Sequence, residues 1–117
     1  MKRQRFTKDM QQTEKSIQLT IMGYLSAHGY CVKRMPVSIY AKKGLPDLWF
    51  GKGLITGWIE CKSLKGKQSP EQRLFQLDIE DAKCLYILAR SVEDVEEGIL
   101  LYKHAQNISC LKGERNG

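Results

Sequence analysis

Apolar side chains in the first third of the chain follow the period of an amphipathic helix and then that of short strands. Across residues 13–28 they recur every three or four positions, with Thr13 placed as an N-cap and Gly29 as a stop. The stripe is formed by Ile17, Ile21, Tyr24 and Leu25. Residues 30–35 and 37–40 then have the composition of two short strands separated by a proline bend.

Strands and helices alternate through the rest of the chain. Two further strands are joined by a glycine-containing turn at residues 51–53. A second helix is predicted over residues 70–82, a strand that is apolar on both faces over residues 84–89, and a third helix after Ser91. This order favours a parallel strand pair joined by a right-handed crossover. The predicted fold class is α/β, with a central mixed β-sheet flanked by helices.

One domain accounts for these elements, because 117 residues can bury a single core but not two. We assign residues 1–12 to a basic N-terminal arm, residues 13–104 to the domain and residues 105–117 to a polar tail, in which residues 108–111 have the pattern of a short edge strand.

No run approaches the roughly 20 apolar residues of a membrane span, and no signal-peptide core follows the basic N-terminus. We therefore expect a cytoplasmic protein with no membrane partner.

The four cysteines are far apart and form no C-x-x-C pair. Cys31, Cys61 and Cys84 lie in apolar, strand-like runs, and we expect them to be small core residues. Neither a structural zinc site nor a disulfide framework fits this spacing.

Two carboxylates and one lysine supply the candidate chemistry. Asp47 follows a turn with glycine and proline, and 13 positions further on, Glu60 and Lys62 stand two residues apart on a strand, so their side chains share a face. Two acids at one place repel each other unless a divalent cation binds, and oxygen ligands suit magnesium or manganese. Such a cation can assist phosphodiester cleavage, with the lysine positioning water or neutralising charge.

Gln72 adds a polar group on the second helix. Ser69 has the position of its N-cap, Pro70 the first helical position, and Gln72 the reciprocal position of a capping box. Gln72 also lies on the helix face that carries Phe75 and Ile79, which points toward the core. Its side chain can therefore cap the helix alone or also reach the carboxylates, and the spacing leaves both open.

Five features of the chain fit one known pattern. They are Glu14 on the first helix, the run Gly44-Leu45-Pro46-Asp47, the run Trp58-Ile59-Glu60-Cys61-Lys62, the turn with Gly66 and Ser69, and Gln72. Together they resemble a VRR-NUC domain, the virus-type replication-repair branch of the PD-(D/E)XK nuclease superfamily, of the stand-alone phage or bacterial type. The resemblance covers residues 14–102. It implies a restriction-endonuclease-like (PD-(D/E)XK) core, hydrolysis with Mg²⁺ or Mn²⁺ and no organic cofactor, and homodimers that act on branched DNA.

The resemblance also assigns roles by position. The metal ligands would be Asp47, Glu60 and the backbone carbonyl of Cys61. Lys62 would be the catalytic lysine, Gln72 an active-site supporter and Glu14 an auxiliary acid. From its position alone, Glu14 has a second interpretation, which is to complement the N-terminus of the first helix. A phage-encoded member would act in the cytoplasm of its host cell.

The chain carries 19 basic and 13 acidic residues, a net charge of +6 that favours a polyanionic partner. The residues expected to bind nucleic acid are Lys42, Lys43, Lys65 and Lys67 on loops that flank the proposed site, and Arg3 and Arg5 in the N-terminal arm. Basic loops beside a carboxylate pair fit a phosphate backbone. No helix-turn-helix signature and no aromatic pair at RNA-reading spacing supports base-specific recognition.

The expected function is that of a metal-dependent, structure-selective endodeoxyribonuclease. It would hydrolyse phosphodiester bonds in branched DNA such as four-way junctions, as a homodimer whose two sites match the two related scissile positions. An archaeal-type Holliday junction resolvase, with a similar order of helix Glu, Asp and Glu-x-Lys, is one alternative, and the turn from Ser69 to Gln72 argues against it. A nuclease-fold module that binds nucleic acid without cutting is the other.

Overall fold

The computed structural model describes residues 12–37 and 43–116, with side chains described through residue 107. The strand predicted over residues 37–40 lies outside these ranges except for Val37, which is exposed and belongs to no strand. Arg3, Arg5 and Lys42 also lie outside the described residues.

Seven elements form the described part of the fold. In chain order they are α1 (Glu14–Ala27), β1 (Cys31–Arg34), β2 (Leu48–Lys52), β3 (Ile55–Cys61), α2 (Pro70–Asp81), β4 (Leu85–Ala89) and α3 (Val92–Asn116). The N-caps predicted at Thr13 and Ser69 are confirmed, because each side-chain oxygen accepts a backbone amide hydrogen of its helix. Gly29, with a φ of +83°, follows α1 as predicted.

The sheet is mixed, which confirms the predicted α/β class. Its strand order is β1-β2-β3-β4, with antiparallel pairing among the first three strands and parallel pairing between β3 and β4. The helix α2 connects the two parallel strands. Glu60 of β3 lies opposite Leu88 of β4 in this register, so the carboxyl ends of both strands meet at one edge of the sheet.

Helices pack on both faces of the sheet. The core face carries Leu48, Phe50, Ile59 and Ile87, which pack with residues of α1 and α3. The other face carries Trp58, whose ring meets the edge of Phe75 from α2 with 5.6 Å between ring centroids. Because side chains alternate along a strand, Glu60 lies on the α2 face with Trp58, and Cys61 lies on the core face.

Two predictions about the periphery are wrong. The polar C-terminal segment is helical, since α3 runs to Asn116 and includes residues 108–111. A helix that has begun adds residues at little cost, whereas an edge strand needs a partner strand. Cys31 and Cys84 are exposed, the first because it lies on the sheet face away from the core and the second because it precedes β4, while Cys61 is buried as predicted. Among the residues described, no helix combines the length and apolarity needed to cross a membrane.

Candidate active site

Asp47 is held at the start of β2 by a turn that packs against α2. Gly44 in this turn has a φ of +87°, and a Cβ added there would lie 2.4 Å from the backbone oxygen of Glu71. Only glycine fits this conformation and this close approach. The turn directs the Asp47 carboxylate to β3, where Oδ2 accepts the amide hydrogen of Cys61 with 2.7 Å between the two heavy atoms.

Glu60 lies one residue before the end of β3 and is 1% exposed. Its Oε2 forms an ion pair with Lys62 Nζ at 3.3 Å and accepts a hydrogen bond from Gln72 Nε2 at 2.9 Å. The Lys62 amide donates to the Ala89 carbonyl at 3.0 Å, which extends the pairing with β4 past the end of β3. The extended backbone keeps Lys62 on the same face as Glu60, as the alternation predicted.

Gln72 serves both the helix cap and the site. Its Oε1 accepts the Ser69 amide hydrogen at 2.8 Å, and its own amide donates to Ser69 Oγ at 3.1 Å, which completes the capping box. With Oε1 engaged by the cap, Nε2 faces Glu60. The sequence left capping and a site contact open, and the structure has both.

Burial raises the pKa values of both carboxyl groups. Burial, followed by the charge of Asp47, raises the pKa of Glu60 to about 7 against the opposing effect of Lys62. Burial also raises the pKa of Asp47, and the Cys61 amide and the Lys62 charge oppose it. At neutral pH the metal-free site therefore carries less than its full negative charge.

The donor atoms of the site fit a divalent cation. Glu60 Oε1 is buried and has no hydrogen-bond partner among the described residues. Such an oxygen is costly to bury unless it binds a proton or a cation. No group of three His, Cys, Asp or Glu side chains suited to a metal occurs in residues 12–37 and 43–107. Asp47 and Glu60, completed by a backbone carbonyl such as that of Cys61, would give oxygen ligands of the kind that Mg²⁺ and Mn²⁺ prefer.

Glu14 reaches the edge of the site from α1. A Cβ added at Gly66 would lie 3.0 Å from Glu14 Oε2, so this carboxylate rests against the loop that follows Lys62. Its charge contributes to the raised pKa of Asp47. Glu14 is exposed and does not join Asp47 and Glu60 in a three-acid group. The structure thus brings Glu14 close enough to act electrostatically, but not as a ligand.

The described lysines that were predicted to bind nucleic acid lie on segments that adjoin the carboxylates in the chain. Lys43 is exposed on the turn before Asp47, and Lys65 and Lys67 are exposed on the loop between β3 and α2. Positive charge therefore occurs on two of the segments that lead into the site.

Two residues near the site were not singled out from the sequence. Arg90 follows β4 directly and donates from Nη1 to backbone carbonyls of the loop after Lys62. Tyr86 accepts a hydrogen bond from Gln68 Nε2 at 3.2 Å, and burial followed by the charge of Glu60 raises its pKa. The position of Arg90 at the carboxyl end of a parallel strand is a signal that could have found it, because such ends gather site residues.

Comparison of the chain with protein-family models, with curated proteins and with solved structures found no match. The geometry of Asp47, Glu60, Lys62 and Gln72 is therefore the basis for assigning a function.

Proposed function

We propose that this protein is a metal-dependent endonuclease with a restriction-endonuclease-like core of the VRR-NUC type. One observation carries the proposal, which is that two carboxylates and a lysine meet at one edge of the sheet. Lys62 Nζ lies 3.3 Å from Glu60 Oε2, and Asp47 accepts the backbone amide hydrogen that lies between these two residues in the chain. The contact that α2 makes through Gln72 to Glu60 supports the same function.

The chain's own residues have distinct roles in this proposal. Asp47 and Glu60 would hold the cation, with the Cys61 carbonyl as a third protein ligand. A bound Mg²⁺ or Mn²⁺ would polarise the scissile phosphoryl group and lower the pKa of an attacking water. Lys62 supplies positive charge beside the carboxylates, where it orients water and stabilises the charge that develops in the transition state. Gln72 keeps the Glu60 carboxylate oriented through its side-chain amide.

DNA is the proposed substrate because positive charge lies around the site. The net charge is +6, and Lys43, Lys65 and Lys67 are exposed on segments next to the carboxylates. Contacts of this kind hold the phosphate backbone without reading the bases. Branched DNA fits better than linear DNA if the protein acts as a homodimer, since a two-fold pair of sites matches the two scissile positions of a four-way junction.

Cleavage of labelled linear, flap and four-way DNA, with and without Mn²⁺, tests the proposal. We expect cutting with Mg²⁺ or Mn²⁺ and none in excess EDTA. Zn²⁺ should substitute poorly, because the proposed ligands are carboxylate and carbonyl oxygens. Undiminished cutting in EDTA would overturn the mechanism. Binding of four-way DNA without cutting in any of these conditions would favour the non-catalytic alternative.

Lys62→Met separates binding from chemistry. The variant should cut about 10²- to 10³-fold more slowly, because it lacks a charge that acts in the transition state. Its affinity for the junction should change little, since one lost phosphate contact changes the salt dependence by only about one unit. Lys103→Met, which removes an exposed lysine of α3, is the matched control and should cut at the wild-type rate. If Lys62→Met cuts at the wild-type rate, Lys62 has no role in the mechanism.

A further inference from the structure

Arg90 makes a set of contacts that the proposed chemistry does not use. Its Nη1 donates to three backbone carbonyls of one loop, those of Ser63, of Leu64 at 3.3 Å and of Gly66 at 2.9 Å. A guanidinium stays protonated at any working pH and presents several donors in a fixed plane, so it can hold several carbonyls together. Arg90 forms no ion pair with a described residue, and these carbonyls are its side-chain partners.

The base of the Arg90 side chain is fixed by the elements on either side. Its backbone amide donates to Asp94 Oδ2 at 2.8 Å, and the Asp94 amide donates to Ser91 Oγ at 3.3 Å where α3 begins. The preceding residue, Ala89, ends β4 and accepts the Lys62 amide hydrogen at 3.0 Å. Arg90 therefore extends from a strand-to-helix junction that is well tied to the sheet.

The loop that Arg90 holds has few other anchors. Leu64 is 80% exposed, so apolar burial does not fix it. One turn hydrogen bond, from the Gly66 amide to the Ser63 carbonyl at 3.0 Å, closes the loop on itself. Lys62 precedes Ser63 directly and Lys65 lies within the turn. The direction of Lys65 therefore depends on the position of this turn, and the turn also limits how far the backbone of Lys62 can move away from Ala89 and Glu60.

We propose that Arg90 is a positioning residue. Its guanidinium holds the turn from Ser63 to Gly66 against the end of β4. This turn fixes the chain directly after Lys62 and so helps to keep Lys62 Nζ beside Glu60, where the scissile phosphate is proposed to bind. The catalytic consequence rests on the proposed nuclease function, whereas the hold on the loop does not. All three contacts come from Nη1, which lies one bond further along the side chain than a lysine Nζ would, so lysine at this position should reach fewer of these carbonyls.

Limited proteolysis with trypsin tests the hold on the loop without reference to activity. Trypsin cuts after Lys62, Lys65 and Lys67, and peptide masses identify these cuts. We expect Arg90→Met to be cut there about ten times faster than wild type, because a loop with fewer anchors opens more often. Arg90→Lys should be cut at an intermediate rate. If circular dichroism shows that Arg90→Met is not folded, the comparison of Arg90→Lys with wild type tests the proposal instead.

Arg73→Met is the matched control for proteolysis. Arg73 is an exposed arginine of α2 whose Nη1 donates to Gln76 Oε1 at 3.4 Å, and among the described residues its side chain makes no hydrogen bond or ion pair with the loop. The loop of this variant should be cut at the wild-type rate. Equal cutting of Arg90→Met and wild type would overturn the proposal.

Cleavage kinetics on four-way DNA test the catalytic consequence. Arg90→Met should lower kcat by about 10- to 100-fold with KM nearly unchanged, because a misplaced catalytic group loses rate rather than substrate binding. Guanidinium chloride at non-denaturing concentration should restore part of kcat in Arg90→Ala and none in Lys62→Met. A raised KM with unchanged kcat would make Arg90 a DNA contact and would overturn the positioning role. Wild-type protein that cuts no DNA would overturn the nuclease proposal, while the trypsin result would still decide whether Arg90 holds the loop.

Discussion

At the scale of single residues, the site places one buried acid beside two hydrogen-bond donors, while burial and the charge of Asp47 raise its pKa. Glu60 is 1% exposed, and Lys62 and Gln72 both donate to its Oε2. Its Oε1 is buried without a partner among the described residues. This arrangement suits a carboxylate that is completed by a cation. Protons and a divalent cation should therefore compete for Glu60.

The metal-free protein should become less stable as the pH rises from 4.5 to about 7, the range over which the pKa of Glu60 is raised on folding. Within this range the folded state keeps a proton on Glu60 that the unfolded state has released, so the free energy of unfolding falls as the pH rises. The contribution of this proton to the free energy of unfolding is fully present below the pKa of Glu60 in the unfolded state and is lost above its pKa in the folded state. It amounts to about 3 kcal/mol at most. The raised pKa of Asp47 acts in the same direction. Thermal unfolding in EDTA across this range measures the effect.

Variants and metal addition isolate the source of that pH dependence. Glu60→Gln should remove most of it, whereas Glu80→Gln, which changes an exposed carboxyl near the end of α2, should leave it intact. Mg²⁺ should raise the melting temperature of the wild type more above the pKa of Glu60 than below it, because protons no longer compete. A melting temperature in EDTA that does not change with pH would show that Glu60 ionises normally.

At the scale of elements, the N-terminal ends of the three described helices gather around the loop after β3. The first turn of α1 brings Glu14 to Gly66, and the first turn of α2 brings Gln72 to Glu60. Arg90, directly before α3, holds the loop itself. Helix N-termini carry partial positive charge and free amides, which suit a phosphate group. The helices therefore point their positive ends toward the place where DNA is proposed to bind.

Gly44→Ala should disrupt the site, and Gly53→Ala should not. Both glycines have positive φ, +87° and +59°, so alanine strains either backbone by about 1 kcal/mol. At Gly44 the added Cβ would also lie 2.4 Å from the Glu71 oxygen, whereas at Gly53 nothing lies within 4 Å. The turn with Gly44 must then move away from α2 and take Asp47 with it. We expect Gly44→Ala to lose both cleavage and stabilisation by Mg²⁺, and equal behaviour of the two variants would contradict this account.

Ser69→Ala should reduce stability and activity together. Loss of an N-cap side chain costs about 1 kcal/mol of unfolding free energy, and here it also loosens the turn that carries Gln72. Lys52→Met is the control, because Lys52 Nζ donates to the His28 carbonyl at 2.8 Å at the far end of β2 from Asp47. It should lower stability by up to about 1 kcal/mol and leave the cleavage rate unchanged. Equal losses of rate in both variants would mean that global stability, and not the position of Gln72, limits the rate.

At the scale of the whole molecule, local features were predictable and long-range contacts were not. The caps at Thr13 and Ser69 and the shared face of Glu60 and Lys62 depend on residues within a few positions, and the structure has them. Arg90 contacts carbonyls 24 to 27 positions away, which no local pattern encodes. The polar pattern of residues 105–116 likewise cannot distinguish a tail from an exposed helix, because neither buries an apolar stripe.

A homodimer on a four-way junction should cut with two separate sites. One chain has one Lys62, so a two-fold dimer has two, placed on symmetry-related sides. Sedimentation equilibrium should then report twice the mass of one chain. A four-way junction should also compete for the protein far better than linear duplex of equal length, since both halves of the dimer contact it.

Mixed dimers of wild-type and Lys62→Met chains make this prediction quantitative. Random re-association of equal amounts gives about half hybrid dimers, each with one active site. A hybrid should cut one strand of a junction and stop, so nicked junctions should accumulate in the mixture and not with wild type alone. Lys103→Met chains mixed in the same way should give paired cuts, because both sites remain active. A monomer that nicks strands independently would give the same product pattern in both mixtures, and that result would leave a nuclease without the two-fold symmetry proposed for junctions.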